Sequence, residues 1–105
     1  MDRVLLVAHT KRSAAALENF LRECGVQAEF LVSLSSVDAR RRLADQDFDL
    51  VIINAPLSDE FGHELAQDMA QYTVAGVLLL VAADEADAVA SKVTDTGVLI
   101  LPKPG

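Results

Sequence analysis

Tryptophan is missing from this 105-residue chain, aromatic residues make up only 5% of it, and it holds one cysteine. Each scarcity excludes something. Without large rings the core has to be built from Val, Leu, Ile and Ala, a mixture that suits a parallel sheet buried on both faces by helices. A single thiol, Cys24, rules out an intramolecular disulfide and fits a reducing cytosol. It lies near the end of an apolar helical stretch and is expected to pack rather than react. Positive charge is also scarce. Nine Lys and Arg stand against sixteen Asp and Glu, a formal charge of −7 that would repel a phosphate backbone. This segment is therefore not expected to bind nucleic acid directly. Its one basic run, Arg40-Arg41-Arg42, would point in three directions on a helix and reads as a solvated face. The apolar run that follows Met1-Asp2-Arg3 is too short for a signal peptide or a membrane span, so a soluble, cytoplasmic protein with no membrane partner is expected.

What is present is ordinary globular composition, half hydrophobic and a quarter charged, in a length that makes one domain over residues 1–105. Five strand-length apolar runs punctuate it: Val4 to Ala8, Ala28 to Val32, Leu50 to Ile53, Val77 to Ala83 and Val98 to Leu101. Between them lie helical spacings. The first presents Ala16, Leu17, Phe20, Leu21 and Cys24 as one face and stops at Gly25. The second runs from about Ser36 to Ala44, capped by Ser35 or Ser36, with Val37, Ala39 and Leu43 as apolar positions. The third follows Gly62 with Leu65, Met69 and Ala70; the weaker fourth carries Ala86, Val89, Ala90 and Val93 before Gly97. Strand starts recur every ~21–27 residues, as successive βα units with right-handed crossovers require. The expected fold is an α/β, doubly wound, five-stranded parallel sheet, too small for an eight-stranded barrel, with function at the carboxyl ends of its strands. After the fifth run the chain reads Pro102-Lys103-Pro104-Gly105 and stops. A last helix to cover the sheet beside the first is expected and absent, which reads as a truncated chain or a face covered by a partner.

The strand ends carry a resemblance. Asp49-Leu50-Val51-Ile52-Ile53-Asn54, with the loop Ala55-Pro56-Leu57-Ser58-Asp59-Glu60-Phe61-Gly62, resembles the third strand and following loop of response-regulator receiver domains. Leu99-Ile100-Leu101-Pro102-Lys103-Pro104 resembles that family's Lys-Pro signature. The resemblance covers essentially the whole chain and implies a flavodoxin-like (CheY-like) sheet in the order 2-1-3-4-5. It also implies a chemistry. A carboxylate ending strand three takes a phosphoryl group from a histidine kinase, and acidic residues after strand one hold Mg²⁺. A lysine after strand five neutralises the transferring oxygens, while a hydroxyl after strand four and an aromatic ring on strand five relay the change.

Against that pattern the sequence departs at nearly every position. Asn54 stands at the phosphoacceptor position, Ala8 and His9 at the acidic pair, Ala82 or Ala83 at the switch hydroxyl and Ile100 at the aromatic; only Lys103 is retained. An amide is no phosphoryl acceptor, and alanine with imidazole is a poor Mg²⁺ site. The expectation is a degenerate receiver: not an enzyme, with no cofactor and no metal. It is expected to work as a homodimer or through an attached carboxyl-terminal output domain. The passage around strand three also looks like receivers that precede ANTAR output domains, which implies an RNA-binding antitermination parent. The alternative is a small-molecule or anion sensor at the strand ends near Thr10, Asn54 and Lys103. His9 and His63, the latter in the loop-to-helix region after strand three, alone make a poor metal pair, and His9 reads as a polar rim residue. Thr10 reads as the cap of a helix carrying Lys11, Arg12 and Ser13. Asp59 reads as a cap of the third helix with Ser58, or as a loop partner of Lys103, which otherwise donates to the Asn54 side chain.

Overall fold

The apolar runs become strands and the spacings between them become helices. The computed structural model describes residues 2–103. Its elements are β1 (Arg3–Val7), α1 (Lys11–Glu23), β2 (Glu29–Ser33), α2 (Ser36–Asp45), β3 (Leu50–Asn54), α3 (Gly62–Tyr72), β4 (Gly76–Val81), a 3-10 turn (Ala83–Glu85), α4 (Ala86–Lys92) and β5 (Leu99–Pro102). All strands pair in parallel, in the order β2-β1-β3-β4-β5. The fold class and strand order expected from the sequence are those observed.

Alternation along the strands divides the core in two. Leu5, Val7, Val51, Ile53, Val77, Leu79 and Val81 face the layer of α2, α3 and α4, where they meet Ala39, Leu65, Ala66 and Met69. Val4, Leu6 and Ile52 face the opposite way, toward Leu17 and Leu21 of α1. Burial on both faces explains why the central strands read as continuous apolar runs. α1 packs chiefly on β1 and β2, and among the described residues it is the one helix of this second layer. Beyond it the sheet is open, with Leu99 and Leu101 67% and 49% exposed.

That geometry corrects the expected face of α1. Leu17 and Leu21 pack on the sheet together with buried Ala14, whereas Ala16, Phe20 and Cys24 are exposed. The five apolar residues form a stripe wider than the contact, and only Leu17 and Leu21 of it are covered. Cys24 is an exposed helix cap, not a packed residue. Val37 of α2 and Ala90 of α4 also turn outward, Val37 at 70% exposure. β4 ends at Val81, two residues earlier than its apolar run, because Ala83 opens the 3-10 turn.

Two glycines are required by geometry. Gly25 ends α1 at φ +90°, with its N–H on the Arg22 carbonyl and the Val26 N–H on the Leu21 carbonyl, both at 3.0 Å. This is a Schellman stop, which needs a residue at ease with positive φ. Gly62 starts α3 so close to the sheet that a Cβ there would lie 2.9 Å from Ala55 Cβ and 3.1 Å from Leu79 Cδ1.

Candidate functional site

Register places the sequence-predicted residues along one edge. Val7 pairs with Ile53, Asn54 with Leu80 and Val81 with Pro102. Ala8, Asn54, Ala82 and Lys103 therefore continue neighbouring strands at the carboxyl end of the sheet. Ala8 is fully buried, with its N–H on the Ser33 carbonyl at 3.0 Å. His9 is exposed, Asn54 half-buried and Ala82 exposed. Ile100 is half-buried against the cluster beneath α3 and α4.

Lys103 is the charged member of this edge, and its partner differs from both sequence expectations. Its ammonium donates to the Ala55 carbonyl, neither to Asp59 nor to the Asn54 side chain. Its own N–H bonds the Val81 carbonyl at 2.7 Å, which continues the β5 ladder past Pro102. Desolvation pushes the lysine pKa down, and the nearby Glu85 charge works against that shift. Pro104, the last residue of the expected signature, lies outside the described residues.

Asp59 has a different task from the one its spacing suggests. Its carboxylate accepts from the Ser36 N–H at 3.0 Å, the Ser36 hydroxyl at 2.8 Å and the Val37 N–H at 3.4 Å. It therefore fastens the β3–α3 loop to the amino end of α2, where Ser35 already supplies the local cap. α3 begins behind Phe61 with no side-chain cap at all. The Ser36 N–H, helped by the Ser36 hydroxyl and the Val37 N–H, holds the Asp59 carboxyl below the usual carboxylate range. The next residue, Glu60, pairs with Arg40 at 2.8 Å, and Arg40 also reaches Asp68 at 2.7 Å. The Arg40 guanidinium keeps Glu60 ionised to lower pH, and Glu60 in turn raises Arg40. Arg41 and Arg42 both bond Asp38, so the basic run is neutralised in place.

Thr10 caps α1 by accepting from the Ser13 N–H at 3.1 Å. Among the described residues no three His, Cys, Asp or Glu side chains converge to hold a metal. The ends of β1 and β3 offer Mg²⁺ an exposed imidazole and an amide, which do not fit a cation that wants carboxylate oxygens. Sequence reasoning missed a cleft of about 340 Å³ beside this edge, between the β3–α3 loop and α4. Its lining includes Pro56, Phe61, His63, Val89 and Lys92. Phe61 and His63 stack with centroids 5.5 Å apart, and Gln67 ties α3 to the Lys92 carbonyl. Nothing in the spacing of these residues announces the cleft, because it forms only when α4 docks against the loop.

No family model matches this sequence, and no curated protein does. Solved structures do. The response regulator TrrA of Thermotoga maritima, in complex with Mg²⁺ and BeF, superposes with a TM-score of 0.80 over 99% of this chain and 88% of that one, at 22% identity. The chain has the receiver fold. A signal receiver domain of an HD domain-containing protein from Pseudomonas fluorescens matches this receiver-fold chain with a TM-score of 0.82, at 23% identity, over 98% of this chain and 82% of that one. TrrA in complex with the histidine kinase ThkA matches at 0.78 and 20% identity, over 99% and 87%.

Proposed function

We propose that this chain is an atypical receiver domain in signal transduction, one that acts through protein contact or dimerisation without aspartyl phosphorylation. One observation carries the reading. On a receiver fold, the carboxyl edge presents Asn54 between Ala8 and the engaged Lys103, with no carboxylate at the end of β1 or β3. Phosphoryl transfer needs an oxygen nucleophile and a metal held by hard oxygens, and the residues at this edge supply neither. Asn54 occupies the phosphoacceptor position, Ala8 and His9 the acidic pocket, and Ala82 and Ile100 the switch positions. Lys103 is the retained pocket lysine. Its bond to Ala55, with Asp59 on α2 and Glu60 on Arg40, leaves the β3–α3 loop anchored at three points.

A domain that is held in one state transmits by what it touches. The partners in this reading are a second copy or an attached output domain, and the ANTAR resemblance makes that output an RNA-binding antitermination module. The acidic domain then positions or dimerises the output and does not touch RNA itself.

Amide NMR tests the core of this. On adding Mg²⁺ and then beryllofluoride, the amides of His9, Asn54 and Lys103 are expected to stay where they are. Mg²⁺-dependent shifts at those three would show a working phosphoryl pocket and end the reading. Sedimentation over a wide concentration range tests dimerisation, for which a rising mass is the expected result.

A further inference from the structure

We propose that the cleft between the β3–α3 loop and α4 binds a small hydrophobic carboxylate. Its volume of about 340 Å³ falls within the ~300–1,000 Å³ of small-molecule sites. The floor and walls are apolar. Val81 and Ala55 come from the sheet edge, Ala88 and Val89 from α4, and Phe61 stands 69% exposed on the loop side. Ala55 and Ala88 in the lining carry nothing beyond Cβ, which leaves room for a ring or a short acyl chain, and an exposed phenyl ring stacked on His63 offers a flat surface for it.

Charge selects the head group. The chain has only three lysines, Lys11, Lys92 and Lys103, and two of them flank this cleft. Lys92 lines it, and the Lys103 ammonium sits on the carbonyl of Ala55, itself a lining residue. Among the described residues five of the six arginines, Arg3, Arg22, Arg40, Arg41 and Arg42, are each bound to a carboxylate, while Lys92, like Arg12 on α1, has no ion pair. The one acid in the lining, Glu85, already attracts Lys103. In a molecule of net charge −7, Glu85 is balanced by the adjacent Lys103, which leaves Lys92 as the uncompensated cation at the rim of an apolar hollow, so the cleft complements an apolar anion. A groove of similar size between α2 and α3 lacks that property, because its cation, Arg40, is taken up by Glu60 and Asp68. The inference goes beyond the contact-only reading and is independent of it, since no phosphoryl chemistry is involved.

The test is an amide NMR titration of the 105-residue chain with hydrocinnamate and hexanoate, set against hydrocinnamamide, which keeps the shape without the charge, and acetate, which keeps the charge without the chain. Both hydrophobic carboxylates are expected to give saturable shifts at Phe61, His63, Ala88 and Val89. The amide should bind at least about threefold more weakly, and Lys92→Glu should weaken carboxylate binding by about three- to tenfold. Ala88→Leu, at an exposed position on α4 that tolerates a larger side chain, should fill the cleft and abolish the shifts. Equal binding of amide and carboxylate, indifference to Lys92→Glu, or shifts centred on Thr10 and His9 would each overturn the proposal. So would the absence of saturable shifts with either carboxylate.

Discussion

The Asp59 carboxylate accepts two backbone N–H groups and one hydroxyl at the start of α2, so its removal leaves the Glu60–Arg40 pair to tie the loop to that helix. Asp59→Ala is expected to cost about 1 kcal/mol in chemical denaturation, the usual worth of a helix cap, with Asp59→Asn closer to wild type. Lys103 anchors the other end of the same loop. Lys103→Met keeps the apolar stem and deletes the donor. Amides of residues 57–61 should then exchange faster while those of β1 and β3 are unchanged; identical exchange throughout would show that the lysine anchors nothing. These contacts give Lys103 a structural task at the sheet edge. Their partners were not legible in the sequence, because a carboxylate and a hydroxyl 23 residues apart share no periodicity.

At the scale of elements, the helices are set by where their apolar stripes meet the sheet. Leu21→Ala should destabilise by about 1–2 kcal/mol, whereas Phe20→Ala should stay within about 0.5 kcal/mol. Equal losses would mean that both halves of the α1 stripe are packed. The start of α3 is the least forgiving junction. Gly62→Ala places a methyl group 2.9 Å from Ala55 Cβ, and the overlap should cost about 1–3 kcal/mol, read as a lower denaturation midpoint with an unchanged slope. Strand positions were legible because burial on both faces leaves unbroken runs of Val, Ile and Leu. The inward direction of α1 was not. Its spacing defines a broad apolar arc, and only the neighbouring strands determine which part of that arc is covered.

For the whole molecule, acid is the informative variable. The Asp59, Glu60 and Asp49 carboxyls are all held below their ordinary values of 3.8, 4.5 and 3.8. Hydrogen bonds from Ser36, Arg40 and Arg3 respectively do most of this. A carboxyl whose pKa is depressed by folding stabilises the native state above its unfolded pKa, and that stability is lost as pH falls through the folded value. The stability curve should therefore be flat near neutrality and bend downward below about 4.5, with the bend weakened in Asp59→Ala. A curve that falls on the alkaline side of neutrality instead would contradict the assignment of these pairs. A net charge of −7 adds repulsion at neutral pH that acid relieves, so the loss measured on acidification is smaller than the three carboxyls alone would give.

The sequence by itself determined the order of strands and helices, the parallel sheet, the stop at Gly25 and the identity of the residues at the strand ends. These follow from local periods and from residue identity, which need no neighbours to be read. Only the tertiary structure decided that Asp59 serves α2, that Lys103 bonds Ala55, that part of the α1 stripe and the β5 leucines stay open, and that a cleft forms beside α4. The physical reason is distance along the chain. Contacts such as Lys103 to Ala55 join residues 48 apart. Their energy depends on how the layers dock, and no local pattern encodes that.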